Sequence, residues 1–359
     1  MAGSCLATYL LMISALWHPE DSLLTLSITA LVTIELTLLL MRALDPTITL
    51  LASTRIGQNI LTLLLSLMLG FFSLYIGRLV INYSLGYWHI DLSSEVVHLY
   101  YHALLPVFAI SLGLNLIGFI IAYFFTTDKL TDLSYALTFA GTTLLLYVRG
   151  VRKISFNHRL GTLAMILLWA FRLGTFLFKR ILKQKKDGRF DKMRANFLRF
   201  GGFWLLQGLS VPIILMPITI FLTVVEQDNG FVYPIVGYIG AVIALFGLLI
   251  EHLADQQKYA FKQEVLNKNK WIMHGLWHYS RHPNYLGEMT FWIGIYIAVF
   301  PYFTTFQAII AALSPLYITF LLSFVSGIPI LEYRADERWG DQKAYQAYKK
   351  KTSILIPFL

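Results

Sequence analysis

The sequence predicts an all-α fold, a polytopic integral membrane helix bundle of about nine to ten transmembrane segments with a cytosolic C-terminus. Three observations lead there. Of the 359 residues, 57% are hydrophobic and only 14% are charged, against about 25% charged in a soluble globule. Apolar runs recur at close to the roughly 20 residues that a helix needs to cross the hydrocarbon core. Lys and Arg gather in the connecting segments, as the positive-inside rule produces. The net charge of +9 therefore needs no polyanion to explain it, and no nucleic-acid partner is expected.

Taken in order, spanning runs fall near 24–43, 58–83, 103–125, 133–149, 160–178, 203–225, 232–253 and 304–331, with a shorter one at 286–301. The first seventeen residues hold another apolar patch, but without a basic n-region or a small-residue cleavage site, so no removed signal peptide is expected. The basic stretches 179–199 and 254–283 and the C-terminal tail should face the cytoplasm, and the cation-free loops 84–99 (Asp91, Glu95) and 226–231 (Glu226, Asp228) the other side. One loop resists that alternation: 149–159 carries Arg149, Arg152, Lys153 and Arg159, yet falls outside if 160–178 spans. Cys5 is the single cysteine, which excludes a disulfide framework and a thiolate metal cluster. No metal site is expected, and no dinucleotide-binding glycine fingerprint, phosphate loop or His-Glu-x-x-His occurs.

Chemistry concentrates in the second half. Beyond the run 232–253 no Pro or Gly stops the helix, so it should continue into the cytosol and stack Glu251, Asp255, Lys258 and Lys262 on one face. Two readings stay open for that face: ion pairs along a solvated helix end, worth a few tenths of a kcal/mol each, or a polar groove that grips a ligand with hydroxyls, amides and phosphates. Residues 275–288, Gly-Leu-Trp-His-Tyr-Ser-Arg-His-Pro-Asn-Tyr-Leu-Gly-Glu, read as a loop, then Pro283 in a first helical turn, then a membrane helix. An aromatic belt with a positive anchor explains Trp277, Tyr279, Tyr285, Trp292 and Arg281. It does not explain why Asn284 and Glu288, one turn apart, enter the apolar segment together with His282 close by, since uncompensated polar groups there are costly.

Arg172 lies inside an apolar run, where a lone cation is expensive, and pairing with Glu251 or Asp255 would relieve it. The tail from Glu332 to Gly340, followed by Tyr345, Tyr348 and three lysines, reads either as a solvated anchor or as a lid folded back beneath the bundle. In the second case it would supply cations for phosphate and rings for stacking.

Gly275 to Glu288, preceded by Asp255-Gln256 and Lys262 and followed by Glu332, Trp339-Gly340, Tyr348 and Pro357, resembles the membrane reductase superfamily of steroid 5-alpha-reductases and sterol reductases, in its largely bacterial branch. The resemblance covers roughly residues 105–359, with Asp132, Trp169, Arg172, Arg180, Gln207 and Pro217 among the matching positions; residues 1–104 form an N-terminal transmembrane extension of unknown role. It implies a helical domain that holds NADPH on its cytosolic face, admits an apolar lipid substrate from the bilayer and reduces a polarised carbon–carbon double bond. Asn284 and Glu288 match positions at the nicotinamide end. Arg172, Glu251, Asp255 and Lys262 match positions on the cofactor side, with Arg281, His282, Glu332 and Tyr348 in the shared motif and Arg334 or Arg338 standing for a tail arginine. The pattern departs at Trp169, where the steroid reductases have a proton-donating Tyr, so Tyr285 or Tyr279 is the expected donor, beside Glu288 at the reacting end.

A smaller C-terminal piece, Arg281-His282-Pro283 with Tyr285 and Gly287, then Glu332, Gly340, Tyr348 and Pro357, is similar to isoprenylcysteine carboxyl and phospholipid methyltransferases. That resemblance implies S-adenosylmethionine as the ligand instead. Asp255-Gln256, Lys262 and the pair Asn284–Glu288 point toward the reductases.

Overall fold

The computed structural model describes residues 103–150, 154–184, 190–191, 193–194, 196–223, 225 and 234–357, and among them the only β feature is an isolated parallel bridge between Ser280 and Ser353. The elements are α1 (Leu105–Phe124), α2 (Thr131–Arg149), α3 (Phe156–Gln184), α4 (Phe197–Ile214), α5 (Met216–Thr223), α6 (Pro234–Gln263), α7 (Pro283–Val299), α8 (Thr305–Ala311), α9 (Leu313–Phe320), α10 (Ile328–Trp339) and α11 (Lys343–Lys351). The runs 24–43 and 58–83, the loop 84–99 and Cys5 lie outside the described residues. The chain divides into two units, Met1–Val97 with Arg189–Gly202, and His98–Gly188 with Phe203–Leu359. In the first, Phe190 meets Phe200 edge-on at 6.0 Å and Arg194 pairs with Asp191 at 2.8 Å. Everything below concerns the second.

Five helical stretches among the described residues are long and apolar enough to cross a membrane: Leu105–Phe124, Phe156–Lys183, Phe197–Ile214, Ile235–Gln263 and Thr305–Trp339. A multi-pass membrane protein in a lipid bilayer follows from their length and composition. α6 has 30 residues, about 45 Å at 1.5 Å per residue, which exceeds a hydrocarbon core of about 30 Å and carries its charged C-terminal turns past the apolar layer. The expected extension beyond residue 253 is therefore present. α7 begins with Pro283 in its first turn, where the missing N–H is not needed, and its 17 residues span only about 25 Å.

Close approach of α6 and α7 sets the position of the site. A Cβ on Gly287 would lie 2.5 Å from the Glu251 nitrogen and 2.7 Å from the Gly247 carbonyl. One on Gly294 would lie 2.2 Å from the Ala244 nitrogen and 2.8 Å from the Gly240 carbonyl. Small residues let the two backbones touch, the usual device for helix pairs in lipid, where apolar burial alone gives no drive to associate. Elsewhere the helices are joined by buried polar bonds: Gln207 donates to the Asn115 side-chain oxygen (2.7 Å), Asn115 to the Ser111 carbonyl (2.9 Å), and the Ser111 hydroxyl to the Gly208 carbonyl (2.7 Å). At the centre Phe139, Trp169, Phe291 and Trp292, all fully buried, form a continuous aromatic layer with centroids 4.9–5.9 Å apart between Phe139 and Trp169, Trp169 and Trp292, and Trp169 and Phe291.

Candidate functional site

Glu251 and Asp255 sit one turn apart on α6, so both carboxylates leave the same face. They turn inward rather than toward cations on their own helix. Arg172, projecting from α3, is ion-paired with Glu251 and with Asp255, and the three side chains are only 10%, 3% and 11% exposed. Of the two readings of the α6 face, ion pairing is thus realised, but across helices, and Arg172 takes both carboxylates rather than one. Lys258 instead lies over the Trp277 ring, 4.3 Å from its centroid, and Lys262 is exposed.

Glu288 brings a third carboxylate from α7, within electrostatic reach of Arg172, Glu251 and Asp255. It makes no hydrogen bond or ion pair among the described residues. Three further acceptors in this region are buried and unpartnered: Glu251 Oε2, Asn284 Oδ1 and His282 Nδ1. A buried polar atom without a partner forfeits about 1–3 kcal/mol, so several in one place mark a spot built to meet donors from elsewhere. Toward the C-terminal turns of α3 and α6 the sign of the charge reverses, with Arg180, Lys183, Lys258 and Lys262. Arg180 reaches Asp132 at 3.3 Å, and Lys183 lies 5.6 Å from the Tyr259 ring centroid.

A second cluster holds the loop before α7 against the tail. Glu332 on α10 accepts from His282 Nε2 at 2.9 Å and meets Arg281 at 3.2 Å and Lys349 at 3.4 Å. Burial pushes the His282 imidazole below its usual range against the opposing pull of the Glu332 hydrogen bond. The carboxylate beside Nε2 favours a proton on that nitrogen. The tail returns along the loop. Arg281 N–H donates to the Ser353 carbonyl (2.9 Å), the Tyr348 hydroxyl to the Trp277 carbonyl (3.0 Å), the Thr352 hydroxyl to the His278 carbonyl (3.3 Å) and the Arg281 guanidinium to the Lys349 carbonyl (3.2 Å). Burial raises the Tyr345 phenol to about 12 and lifts that of Tyr348 as well. Of the two readings of the tail, the fold-back is the one present.

A family model described as "Protein of unknown function (DUF1295)" matches residues 118–352, well over half of the chain. The chain belongs to this family. Comparison with curated proteins and with solved structures gives no match. The part that defines the DUF1295 chain as such contains Arg172, Glu251, Asp255, Asn284, Glu288, Glu332 and Tyr348, so both clusters lie within it.

Of the residues singled out from the sequence, Arg172, Glu251, Asp255 and Glu288 come together, with the partnerless Asn284 oxygen one turn before Glu288 on α7. Arg281, His282 and Glu332 form the adjoining cluster, which Tyr348 braces through Trp277. Tyr285 stacks on His282, centroids 5.8 Å apart at 10°, and packs against the core. Tyr279 is half exposed, Arg334 is exposed, and Arg338 bonds the Asn269 side chain and lies 5.2 Å from the Trp339 ring centroid, so these three are not gathered with Arg172. Sequence reasoning missed Lys349, which bridges Glu332 and Asp336 (2.7 Å). Nothing in a run of three lysines distinguishes the one that turns inward.

Proposed function

We propose that this DUF1295 chain is an NAD(P)H-dependent membrane reductase that saturates a carbon–carbon double bond of an apolar lipid, resembling the steroid and sterol reductases. The observation that supports this reading most is the graded charge where the C-terminal turns of α3 and α6 meet the start of α7. A layer of carboxylates with unpartnered buried acceptors, Glu251 Oε2 and Asn284 Oδ1 with Glu288 beside them, is followed by a layer of cations, Arg180, Lys183, Lys258 and Lys262. A nicotinamide dinucleotide has that polarity, an amide that donates N–H at one end and phosphates at the other. The donor set fits the group. Asn284, Glu288 and Glu251 would accept from the carboxamide, and the four cations would meet the phosphates, which Arg and Lys bind with charge-assisted hydrogen bonds.

The bound dinucleotide supplies a hydride. The chain's own residues do the rest. Arg172, paired with both carboxylates, orients Glu251 and Asp255. The aromatic layer of Phe139, Trp169, Phe291 and Trp292 closes the site toward the middle of the bundle and excludes water, which strengthens every polar contact inside. Tyr285, stacked on His282 beside Glu288, is the candidate donor of the proton that balances the hydride.

Thermal denaturation of the purified protein with NADPH, NADH and S-adenosylmethionine tests the proposal, because a ligand that binds only the folded state stabilises it by about 4 kcal/mol at a thousand times its Kd. NADPH or NADH should stabilise, and Asn284→Ala or Glu288→Ala should remove the effect. Equal cofactor affinity in both variants and the parent refutes it. One observation favours a second reading. Three carboxylates around one guanidinium leave an excess of negative charge, which would suit the sulfonium of S-adenosylmethionine in a methyltransferase of the isoprenylcysteine or phospholipid type. Stabilisation by that ligand alone selects it.

A further inference from the structure

At the far end of the same helices lies a cavity of about 180 Å³, lined by His158, Gly161 and Met165 of α3, Gly237 and Ala241 of α6, and Tyr302 just past α7. We propose that it is a second ligand site, which takes an uncharged amphiphile with one hydroxyl or carbonyl group and an apolar body. The site is distinct from the carboxylate cluster. On α3, His158 precedes Arg172 by about 21 Å, and on α7 the Ala298 wall follows Glu288 by about 15 Å, at 1.5 Å per residue. Along both helices the buried aromatic layer, Trp169 on α3 and Phe291 with Trp292 on α7, falls between the two places.

The lining states the chemistry of the ligand. Among the described residues, no Asp, Glu, Lys or Arg lines the cavity. Arg159, next in sequence to His158, is buried with its guanidinium on the Tyr147 carbonyl at 2.6 Å and 5.0 Å from that ring's centroid, so its charge is used elsewhere. Most of the wall is Gly, Ala, Met, Phe221 and Pro301; its polar groups are Asn157, Thr162, Tyr238 and one strong pair, the Tyr302 hydroxyl and His158 Nδ1, 2.6 Å apart. With Nδ1 engaged, His158 Nε2 is left to donate to or accept from a ligand, according to which tautomer the Tyr302 bond fixes. A mostly apolar hollow with a few placed polar groups is the usual form of a small-molecule site. Its size suits a ring-sized head, since a cavity of about 150 Å³ in another protein already admits benzene. Because it sits where apolar helices end, the apolar body of the ligand can remain in lipid.

Gly161 offers a clean block. A Cβ built there meets nothing within 4 Å, so a side chain can start there without backbone strain, and a helical Gly is replaced by a better helix former. The full chain, reconstituted in nanodiscs without any redox cofactor, is labelled with a long-chain alcohol bearing a diazirine next to its hydroxyl, and with the same chain lacking the hydroxyl. The alcohol should label peptides around Met165 and Ala241 saturably. Gly161→Phe should abolish that labelling, and His158→Phe should weaken the alcohol's apparent affinity about tenfold, the loss of one hydrogen bond, while the hydroxyl-free chain is indifferent to it. Labelling that does not saturate, that survives Gly161→Phe, or that is equal for both chains overturns the proposal. Since no cofactor is present, these outcomes are separate from the fate of the reductase reading.

Discussion

Arg172→Leu removes the one guanidinium shared by Glu251 and Asp255, whose side chains are 3% and 11% exposed. The methylene stem of arginine is replaced by a similar apolar volume, so the loss comes from charge. Two carboxylates that shared a cation would stay packed among α3, α6 and α7 with Glu288 adding repulsion, and breaking a buried pair by deleting one partner costs about 3–5 kcal/mol. In a chain of this length that corresponds to roughly 4–7 °C in melting temperature, read by intrinsic fluorescence in detergent micelles. The companion variant, Arg172→Leu with Glu251→Leu and Asp255→Leu, should return to within about 2 kcal/mol of the parent, because replacing a whole buried ion cluster by apolar side chains is often neutral. A melting temperature unchanged in Arg172→Leu would show that the guanidinium is not the partner of these acids. A triple variant no better than the single would show that packing, not charge, holds the three helices.

Gly294→Ala should destabilise by about 1–3 kcal/mol, the range for overpacking, since its Cβ falls 2.2 Å from the Ala244 backbone nitrogen; a neutral result in denaturant titration would mean α6 and α7 are not in backbone contact. For His282 the sign follows from its lowered pKa: the unfolded ring binds protons more readily than the folded one. Stability from this group is complete above the ordinary value of about 6.5 and is lost as pH falls from there toward the lower folded value. His282→Asn should flatten that part of the stability profile, and an unchanged slope between neutral and mildly acidic pH refutes it. Glu332→Gln should loosen the tail from the loop before α7, seen as faster amide exchange at Ser353 and Arg281; unchanged exchange would mean the backbone bridge alone holds the two together.

The helices were legible because the bilayer imposes length and apolarity on each one separately. Pro283 and the uninterrupted run through Gln263 fixed one start and one end by local chemistry alone. The convergence of Arg172, Glu251 and Asp255 was half legible. Periodicity put the two acids on one face and intramembrane cost demanded a partner for the arginine, but which helix α6 would meet depended on Gly247, Gly287 and Gly294, whose role appears only when two backbones touch. The burial of Arg159 was not legible, because its partners are a carbonyl and a ring of α2. Lys349 and the His158–Tyr302 pair were invisible for the same cause, as each acquires meaning from a residue far away in the chain.

The two polar places in this bundle differ in a way that bears on how a lipid enzyme would use them. At the first, three carboxylates surround one guanidinium and leave buried acceptors unpartnered, an arrangement that gains little stability. At the other, the described lining carries no charged side chain and its polar groups are few, among them the hydrogen-bonded His158 and Tyr302. The aromatic layer of Phe139, Trp169, Phe291 and Trp292 lies between them on the helices that carry both. A ligand at either place that shifted this shared layer would bias the other. Coupling of that kind is reciprocal. If a cofactor tightens the binding of an alcohol at His158, the alcohol must tighten the cofactor by the same factor, and a Trp292→Phe variant, which trims the shared layer without touching either site, should reduce both effects together.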